Sequence, residues 1–168
     1  TLHAVLACRG GIIAENAEEN GVSSLMATML MQGTKQRDRA TFHADLEKLG
    51  AEVDSGCGNN SWYITARSLS EDASTVLEAV AEAALEPRME QADFDREKDL
   101  QLQAVRVRDD SWSAEADTFF RSTYFQGHPY AMPGGGTEAT VSKLTLDMAK
   151  AFHARTLNAK SSVLSIVG

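Results

Sequence analysis

The stretch from Gly21 to Thr34, GVSSLMATMLMQGT, constrains the fold of this chain more than any other. Its bulky apolar side chains recur at i, i+3, i+4, i+7 and i+8, the period of an α-helix with one buried face. They are Val22, Leu25, Met26, Met29 and Leu30. Gly33 is suited to the left-handed conformation that ends many helices. We therefore expect a buried helix that ends near Met31 or Gln32.

The remaining hydrophobic patterns predict strands and helices in a fixed order. Strands are expected at residues 2–9, 51–57, 61–69 and 162–167, and helices at about 39–49, 70–85, 90–108, 113–125 and 146–156. Gly58, Asn59 and Asn60 join the middle two strands as a hairpin loop. Because this hairpin is antiparallel and the helices are clustered, the predicted fold is α+β. It has a mainly antiparallel sheet of about four or more strands with helices packed on it.

Three of the later helices have an apolar row that we expect to face the core. The expected rows are Val76, Leu77, Val80, Ala81 and Ala84 in the third helix, Leu100, Ala104 and Val107 in the fourth, and Ala116, Phe119, Phe120 and Thr123, begun by Trp112, in the fifth. Ser70 is the expected N-cap of the third helix.

The polar segments between these elements favour connecting roles over binding roles. We expect the acidic connector at 15–20 to be a solvated approach to the first helix, whose positive end suits its carboxylates. His43 is expected to be exposed, since no second histidine or cysteine lies at metal-binding spacing. The glycines at 134–136 lack the lysine of a P-loop, so a flexible loop is favoured over an anion site.

Composition limits the classes of function. The 168 residues are 43% apolar and 24% charged, the balance of a soluble globular protein, and residues 1–168 are expected to form a single domain. The formal net charge of −8 disfavours nucleic acid and anionic membrane as partners. No targeting segment or membrane-length apolar run occurs within these residues, so the sequence assigns no compartment. Cys8 and Cys57 are expected to be free buried thiols, although pairing between them is the open alternative.

The first helix also resembles a family motif. It is similar to the zinc helix of the M16 metallopeptidases (pitrilysin, insulinase and mitochondrial processing peptidase), which reads roughly G-x-A-H-x-x-E-H-M-L-x-x-G-T. The matching residues are Gly21, Met29, Leu30, Gly33 and Thr34. In that motif two histidines one helical turn apart hold zinc, and the glutamate between them activates the metal-bound water. Here Ser24 and Thr28 stand at the ligand positions and Ala27 at the general-base position.

The resemblance implies that the third ligand is missing as well. In the family a glutamate on a downstream helix, in a pattern E-R-x-x-x-x-x-E, completes the zinc site. Aligned from Glu97, this pattern places Ala104 at the ligand position. The segment is therefore predicted to hold no catalytic, metal-binding or cofactor-binding residue. Zinc is implied only for an active domain elsewhere in the parent protein.

The likeness extends over most of the chain, from Gly10 and Gly11 to Gly168, with GT, LG, EP, HPY and VG recurring in the family's order. Family domains occur as homologous pairs that close around a chamber holding an unfolded peptide. The resemblance thus implies that residues 1–168 are one M16-peptidase-like domain, a fragment of a larger multi-domain protein. Its partners would be homologous domains, in cis or in a partner subunit, and the unfolded peptide.

The sequence suggests three candidate functions for this chain. The first is a non-catalytic, chamber-forming and peptide-binding domain of an M16-like zinc metalloendopeptidase whose active site lies in another domain or subunit. In that case the segment alone is no enzyme, although its parent hydrolyses peptide bonds. The alternative is a catalytically dead scaffold or protein-interaction module. A serine hydrolase that uses Ser23 or Ser24 is disfavoured, because the sequence has no G-x-S-x-G elbow and no histidine at a suggestive spacing.

Overall fold

The computed structural model of the protein describes residues 1–168, apart from the side chain of Asp109. It confirms the predicted α+β class with a four-stranded sheet in the order β2-β3-β1-β4, in which all neighbours are antiparallel. The strands are β1 (Leu2–Arg9), β2 (Glu52–Cys57), β3 (Ser61–Ser68) and β4 (Ser162–Val167). The helices are α1 (Val22–Met29), α2 (Arg39–Lys48), α3 (Ala73–Leu85), α4 (Gln91–Asp109), α5 (Trp112–Tyr124), α6 (Glu138–Val141) and α7 (Leu146–Thr156).

Strand β1 lies in the middle of the sheet, between β3 and β4. Leu6 is opposite Ile64 of β3 on one side and Leu164 of β4 on the other. Alternate residues face the helices, as the period of two requires. Those that are buried on this face are Leu2, Ala4 and Cys8 of β1 and Trp62, Ile64 and Ala66 of β3. Both strands are therefore buried on the face that meets the helices.

Helix α1 occupies the centre of the core. The five apolar residues of its predicted stripe are fully buried, and the helix packs against β2, β3, α4 and α7. It ends at Met29, two or three residues before the predicted end, because the chain changes there to a tighter 3-10 pattern. The N–H groups of Leu30, Met31 and Gln32 each bond to the carbonyl three residues back, and Gly33 follows with φ of 104°.

Two polar contacts fasten α7 to the rest of the core. The indole N–H of Trp62 on β3 donates to Thr156 Oγ1 at 2.9 Å. The His153 ring lies beside that indole, and its Nε2 is 2.8 Å from the Ala84 carbonyl oxygen of α3. Sheet, α3 and α7 are thus joined around one buried indole, whose polar atom is satisfied as burial requires.

Several predicted inward rows are wrong in their details. The buried side chains of α4 are Phe94, Glu97 and Val105, whereas Leu100, Ala104 and Val107 are exposed. In α3, Ala79 and Ala83 are buried together with Val76, Val80 and Ala84, while Leu77 is half-buried and Ala81 exposed. Helix α3 packs against β3 and β1 with these small alanines, and Leu77 packs at the border of the core.

Short segments between the main elements also differ from expectation. Residues Ser70–Asp72 form a single 3-10 turn before α3, and the Ser70 hydroxyl accepts a bond from the Thr1 amino group instead of capping the helix. The four-residue α6 was not predicted, and reciprocal bonds between Thr137 and Thr140 cap it. Both cysteines are free, with Cys8 buried and Cys57 half-buried. Among the described residues, no helix combines the length and apolar character needed to cross a bilayer.

The environment of His153 predicts a pH-dependent stability. Burial lowers the pKa of His153, and the hydrogen bond to Ala84 offsets this only in part. The unfolded chain, whose histidines titrate near pH 6.5, therefore binds the proton more readily than the folded protein. We expect the free energy of unfolding to be greatest above about pH 6.5 and to decrease as the pH falls towards about 5.

Urea unfolding at several pH values across this window measures the effect. His153→Gln keeps an amide that can donate to the Ala84 carbonyl but has no titrating proton, so its stability should depend less on pH. The carboxylates of Asp38 and Asp45, whose pKa values are lowered by hydrogen bonds to Thr41 and Lys48, titrate below this window. Equal pH dependence in both proteins would contradict the assignment to His153.

Candidate functional site

The outer flank of α1 carries the positions that the family motif assigns to zinc chemistry. Ser24 and Thr28 are half-buried on the side of the helix away from its apolar stripe, and Ala27 is buried. The Thr28 hydroxyl donates to the Ser24 carbonyl oxygen at 3.1 Å, one turn back in the same helix. The Ala27 carbonyl oxygen accepts from Ser55 Oγ of β2 at 2.7 Å. This flank therefore lies along the edge strand β2.

Helix α4, which carries the third predicted position, lies beside α1. Gln101 Nε2 donates to the Gly21 carbonyl oxygen at 2.9 Å, and Arg96 Nη2 donates to Gln32 Oε1 at 2.8 Å. These contacts join the two ends of the α1 segment to α4 in antiparallel order. Ala104 lies one turn beyond Gln101 and is exposed, not inward-facing as its apolar character suggested.

The side chains present do not fit a zinc ion. Zinc in proteins is held by imidazole nitrogen, thiolate sulfur or carboxylate oxygen, and Ser24, Thr28 and Ala104 supply none of these. Within the part of the chain that the structure describes, no group of three or more His, Cys, Asp or Glu side chains is arranged to hold a metal ion. The degenerate character of the motif stays a prediction.

The acidic connector contributes a structural carboxylate that the sequence analysis missed. Glu15 is buried, and its Oε2 accepts from the Gly21 N–H at 3.0 Å and from Asn20 Nδ2 at 2.8 Å. Its Oε1 accepts from the Ser23 N–H at 2.9 Å and from Ser23 Oγ. It thus satisfies N–H groups that the start of α1 leaves without intrahelical partners. The expectation of a solvated connector is therefore wrong for Glu15. The sequence signal that could have revealed its role is an acidic run just before a helix that has no capping side chain of its own.

The serine and cysteine beside Glu15 are packed against one another rather than arranged for nucleophilic chemistry. Ser23 is buried, and its Oγ lies 3.6 Å from Cys57 Sγ. Burial raises the pKa of the Cys57 thiol, and the negative Glu15 raises it further. The thiol is therefore kept neutral, which makes it a poor nucleophile. In the described structure no histidine is hydrogen-bonded to Ser23, so the disfavoured serine-hydrolase reading gains no support.

The glycine run at 134–136 packs against the start of α1. Gln101 Nε2 also donates to the Gly135 carbonyl oxygen at 2.9 Å, so one amide holds both segments. Gly136 is buried with φ of 84°, and a Cβ there would lie 2.6 Å from the Asn20 carbonyl oxygen. Close backbone approach therefore explains this glycine.

Helix α5 has the expected position but does not bury its apolar row. Trp112, Phe119 and Tyr124 are 83%, 71% and 72% exposed, and Phe120 stacks on Tyr124 with ring centroids 5.3 Å apart. The opposite side of the helix faces the domain through Arg121, which pairs with Asp117 and reaches the Tyr130 carbonyl oxygen. An amphipathic helix is therefore held with its aromatic face towards solvent. We call Trp112, Phe119, Phe120 and Tyr124 the aromatic face.

The turn after α5 connects the aromatic face to the end of β2. Phe125 packs edge-on against Tyr130 with ring centroids 5.5 Å apart, and the Tyr130 hydroxyl donates to Asn60 Oδ1 in the loop between β2 and β3. Strand β2 pairs with β3 on one side and forms an edge of the sheet on the other. The aromatic face and this edge strand are thus joined through one loop contact.

Comparison with known proteins decides the family. The model of the family described as Insulinase (Peptidase family M16) matches residues 3–138. The chain belongs to the M16 peptidase family. An uncharacterized zinc protease of Mycobacterium leprae is 24% identical over 154 residues, covering 92% of this chain and 35% of the relative. The mitochondrial cytochrome b-c1 complex subunit 1 of Bos taurus is 26% identical over 156 residues, with coverage of 92% and 32%.

Solved structures share the fold over almost the whole chain. The peptidase M16 inactive domain from Pseudomonas fluorescens superimposes with a TM-score of 0.93 at 25% identity, covering 99% of this chain and 41% of that chain. A protease from Helicobacter pylori has a TM-score of 0.93 at 18% identity, which shows the fold alone. The chain spans about a third of the length of the curated relatives that it matches. The likeness to a domain named as inactive supports a non-catalytic M16-like domain.

The alignment with the family motif predicts that a zinc site can be built at the flank of α1. The variant Ser24→His, Thr28→His and Ala104→Glu restores two imidazoles and a carboxylate, the ligand set of many catalytic zinc sites. We expect it to bind about one zinc ion per chain, measured by elemental analysis after dialysis and by calorimetric titration. The unaltered chain should retain no stoichiometric zinc.

A matched control keeps both histidines and moves the carboxylate to another exposed position of α4, as Val107→Glu with Ala104 unchanged. This control should bind zinc more weakly, because its carboxylate is displaced from the motif position. If both folded variants bind zinc equally, or neither binds it, then Ser24, Thr28 and Ala104 do not occupy the positions that the motif assigns to them.

Proposed function

We propose that this chain is a non-catalytic M16 domain that forms one wall of a peptide-binding chamber, facing a catalytic M16 domain in the parent protein or a partner subunit. The observation that carries the proposal is the aromatic face of α5. Trp62, Phe42, Phe94 and Phe152 are fully buried in the core, whereas the four side chains of the aromatic face lie in solvent. Contiguous exposed apolar surface of this kind typically marks a binding site.

The chemistry of the aromatic face suits an unfolded polypeptide. Tryptophan, tyrosine and phenylalanine offer large flat contact areas to apolar side chains of varied shape, and they are enriched where proteins bind peptides and other proteins. The nearby edge strand β2 supplies backbone N–H and C=O groups that extended peptides can pair with. An unfolded chain presents both apolar side chains and free backbone groups, whereas a folded surface presents few free backbone groups.

The flank of α1 supports a role without catalysis. Hydrolysis by an M16 zinc site needs ligands for the metal and a base for its water, and hydroxyl and methyl groups supply neither at neutral pH. The α1 flank, α4 and the aromatic face therefore offer surface rather than reactive groups. Any peptide-bond hydrolysis in the parent protein then takes place on another M16 domain, which the partial coverage of the relatives leaves room for.

Binding at the aromatic face can be followed through Trp112. Reduced, carboxymethylated ribonuclease A is a suitable unfolded probe. We expect its addition to shift the emission of the exposed Trp112 to shorter wavelength, while Trp62 is already buried. Phe119→Ser together with Phe120→Ser keeps the reporter and removes two aromatic contacts, so the dissociation constant should rise at least about ten-fold.

The matched control is Val163→Ser with Val167→Ser, two exposed apolar positions on β4 away from α5. It should leave binding unchanged, and native ribonuclease A should produce no shift. Equal affinity of the two double variants for the unfolded probe, with both folded by circular dichroism, would show that the aromatic face does not bind unfolded peptides.

The second candidate function is a scaffold in a protein that has lost catalysis altogether. It is favoured by the likeness to cytochrome b-c1 complex subunit 1, which is named as a subunit of a complex rather than as a protease. Assay of the intact parent protein separates the two candidates. Peptidase activity that a zinc chelator abolishes is expected for the chamber function, and its complete absence from the parent and its complexes would favour the scaffold.

A further inference from the structure

Helix α5 receives little packing from the rest of the domain. None of its 13 side chains is buried, and its main contacts are with α4 and with the turn at 129–131. A helix of this length is marginal in water without packing, because helix formation alone is barely favourable. The position of α5 in this structure therefore omits the burial that normally stabilises an amphipathic helix.

A second exposed apolar row lies on α4, the helix just before it. Leu100 and Val107 are 51% and 73% exposed, and Ala104 between them is exposed as well. These three residues follow the i, i+4, i+7 spacing of one helix face. We call them the α4 row. Two consecutive helices of one polypeptide thus each present an apolar face to solvent.

The connection between the two helices is short enough to bring these faces together. Only Asp110 and Ser111 separate α4 from α5, and a connection of two residues is typical of an antiparallel helical hairpin. In such a hairpin, residues at equal distances from the connection lie side by side. The neighbours that result are Val107 with Trp112 and Ala116, Ala104 with Ala116 and Phe119, and Leu100 with Phe120 and Thr123.

Both ends of α5 have a residue about which the helix can turn. Ser111 is extended, with φ of −97° and ψ of 123°, and interrupts the helical path after α4. Gly127 has φ of 77°, and a Cβ placed there would meet no atom within 4 Å. Few contacts oppose a movement, since Arg121 Nη1 lies 3.5 Å from the Tyr130 carbonyl oxygen and Phe125 touches the Tyr130 ring edge-on.

We propose that α5 is a hinged arm with two positions, the open one of this structure and a closed one in which the aromatic face packs on the α4 row. Closure forms a helical hairpin and removes the aromatic face from solvent. Its regulatory consequence rests on the proposed function, because an arm that covers the aromatic face competes with an unfolded peptide for it. Peptide binding then selects the open position.

The arm itself fits the α4 row better than a second copy of the chain does. A short tether keeps α5 at an effective concentration of about the millimolar range beside α4, whereas a second copy has to be captured from solution. Two copies that each carry a net charge of −8 also repel one another. The closed position is therefore intramolecular.

Disulfide cross-linking measures closure. In a background of Cys8→Ala and Cys57→Ser, the pair Leu100→Cys and Thr123→Cys places thiols at positions that meet in the closed hairpin. The control pair is Asp99→Cys and Thr123→Cys, because Asp99 is exposed and lies about 100° round α4 from Leu100. We expect the first pair to cross-link at least about ten-fold faster under a mild oxidant, since a disulfide needs close Cα atoms.

The cross-linked product should migrate as a monomer in non-reducing electrophoresis. Equal rates for the two pairs, with both proteins folded by circular dichroism, would overturn the inference. Cross-linked dimers as the main product would overturn it too, because they would identify a second copy as the occupant of the α4 row.

Competition with peptide tests the regulatory step. Saturating reduced, carboxymethylated ribonuclease A should slow cross-linking of the Leu100→Cys and Thr123→Cys pair. Ala104→Glu puts a carboxylate into the closed contact, so it should raise the affinity for the dye-labelled probe by about two-fold or more, measured by anisotropy. Ala92→Glu, the same change at an exposed position of α4 outside the row, is the matched control and should have no effect.

The outcomes separate this inference from the proposed function. Undiminished cross-linking with the probe bound, or equal affinity of the Ala104→Glu and Ala92→Glu variants for it, would contradict gating by the arm. Fast cross-linking of the Leu100→Cys and Thr123→Cys pair in a protein that does not bind the probe would support closure and contradict the peptide-binding function.

Discussion

The burial of α1 between the sheet and helices α4 and α7 is the constraint on which the other parts of the structure depend. An eight-residue helix is too short to be stable alone, so its helical state is maintained by packing. Five fully buried apolar side chains supply that packing. The buried carboxylate of Glu15 makes the arrangement possible at the helix start, where free N–H groups would otherwise be desolvated without partners. Gln101 then fixes the start of the helix to α4 and to the glycine loop.

The elements with a strong internal period were predictable from the sequence. Strands β1 and β4 were predicted with their observed ends, and the other strands and main helices to within a few residues, because strict alternation or a full apolar stripe leaves few alternatives. The stripe of α1 was found for the same reason. The four positions of the candidate site were assigned from the family motif and stay a prediction, and the structure places Ser24 and Thr28 on one flank of α1 with α4 alongside.

The errors arose where tertiary contacts outweigh apolar character. In α4 a search for apolar spacing selected Leu100, Ala104 and Val107, but the buried face is set by Phe94 and Val105, three turns apart, with the polar Glu97 between them. Polar side chains with defined partners can occupy an inward face, and apolar spacing does not reveal them. The role of Glu15 was hidden similarly, because a carboxylate seven positions before the first helical residue reaches the helix start only through the path of the connector. For α5 the predicted apolar row exists, but whether such a row faces the core or the solvent depends on the rest of the domain and not on its spacing.

The architecture separates the stability of the fold from the chemistry of the family. The side chains that hold α1 in the core point towards the sheet, whereas Ser24 and Thr28 lie on the half-buried flank and Ala104 on an exposed one. Replacing histidine or glutamate at such positions removes no core packing, so the substitutions cost the fold little. An M16 domain can therefore lose its metal ligands and keep its helices and its sheet.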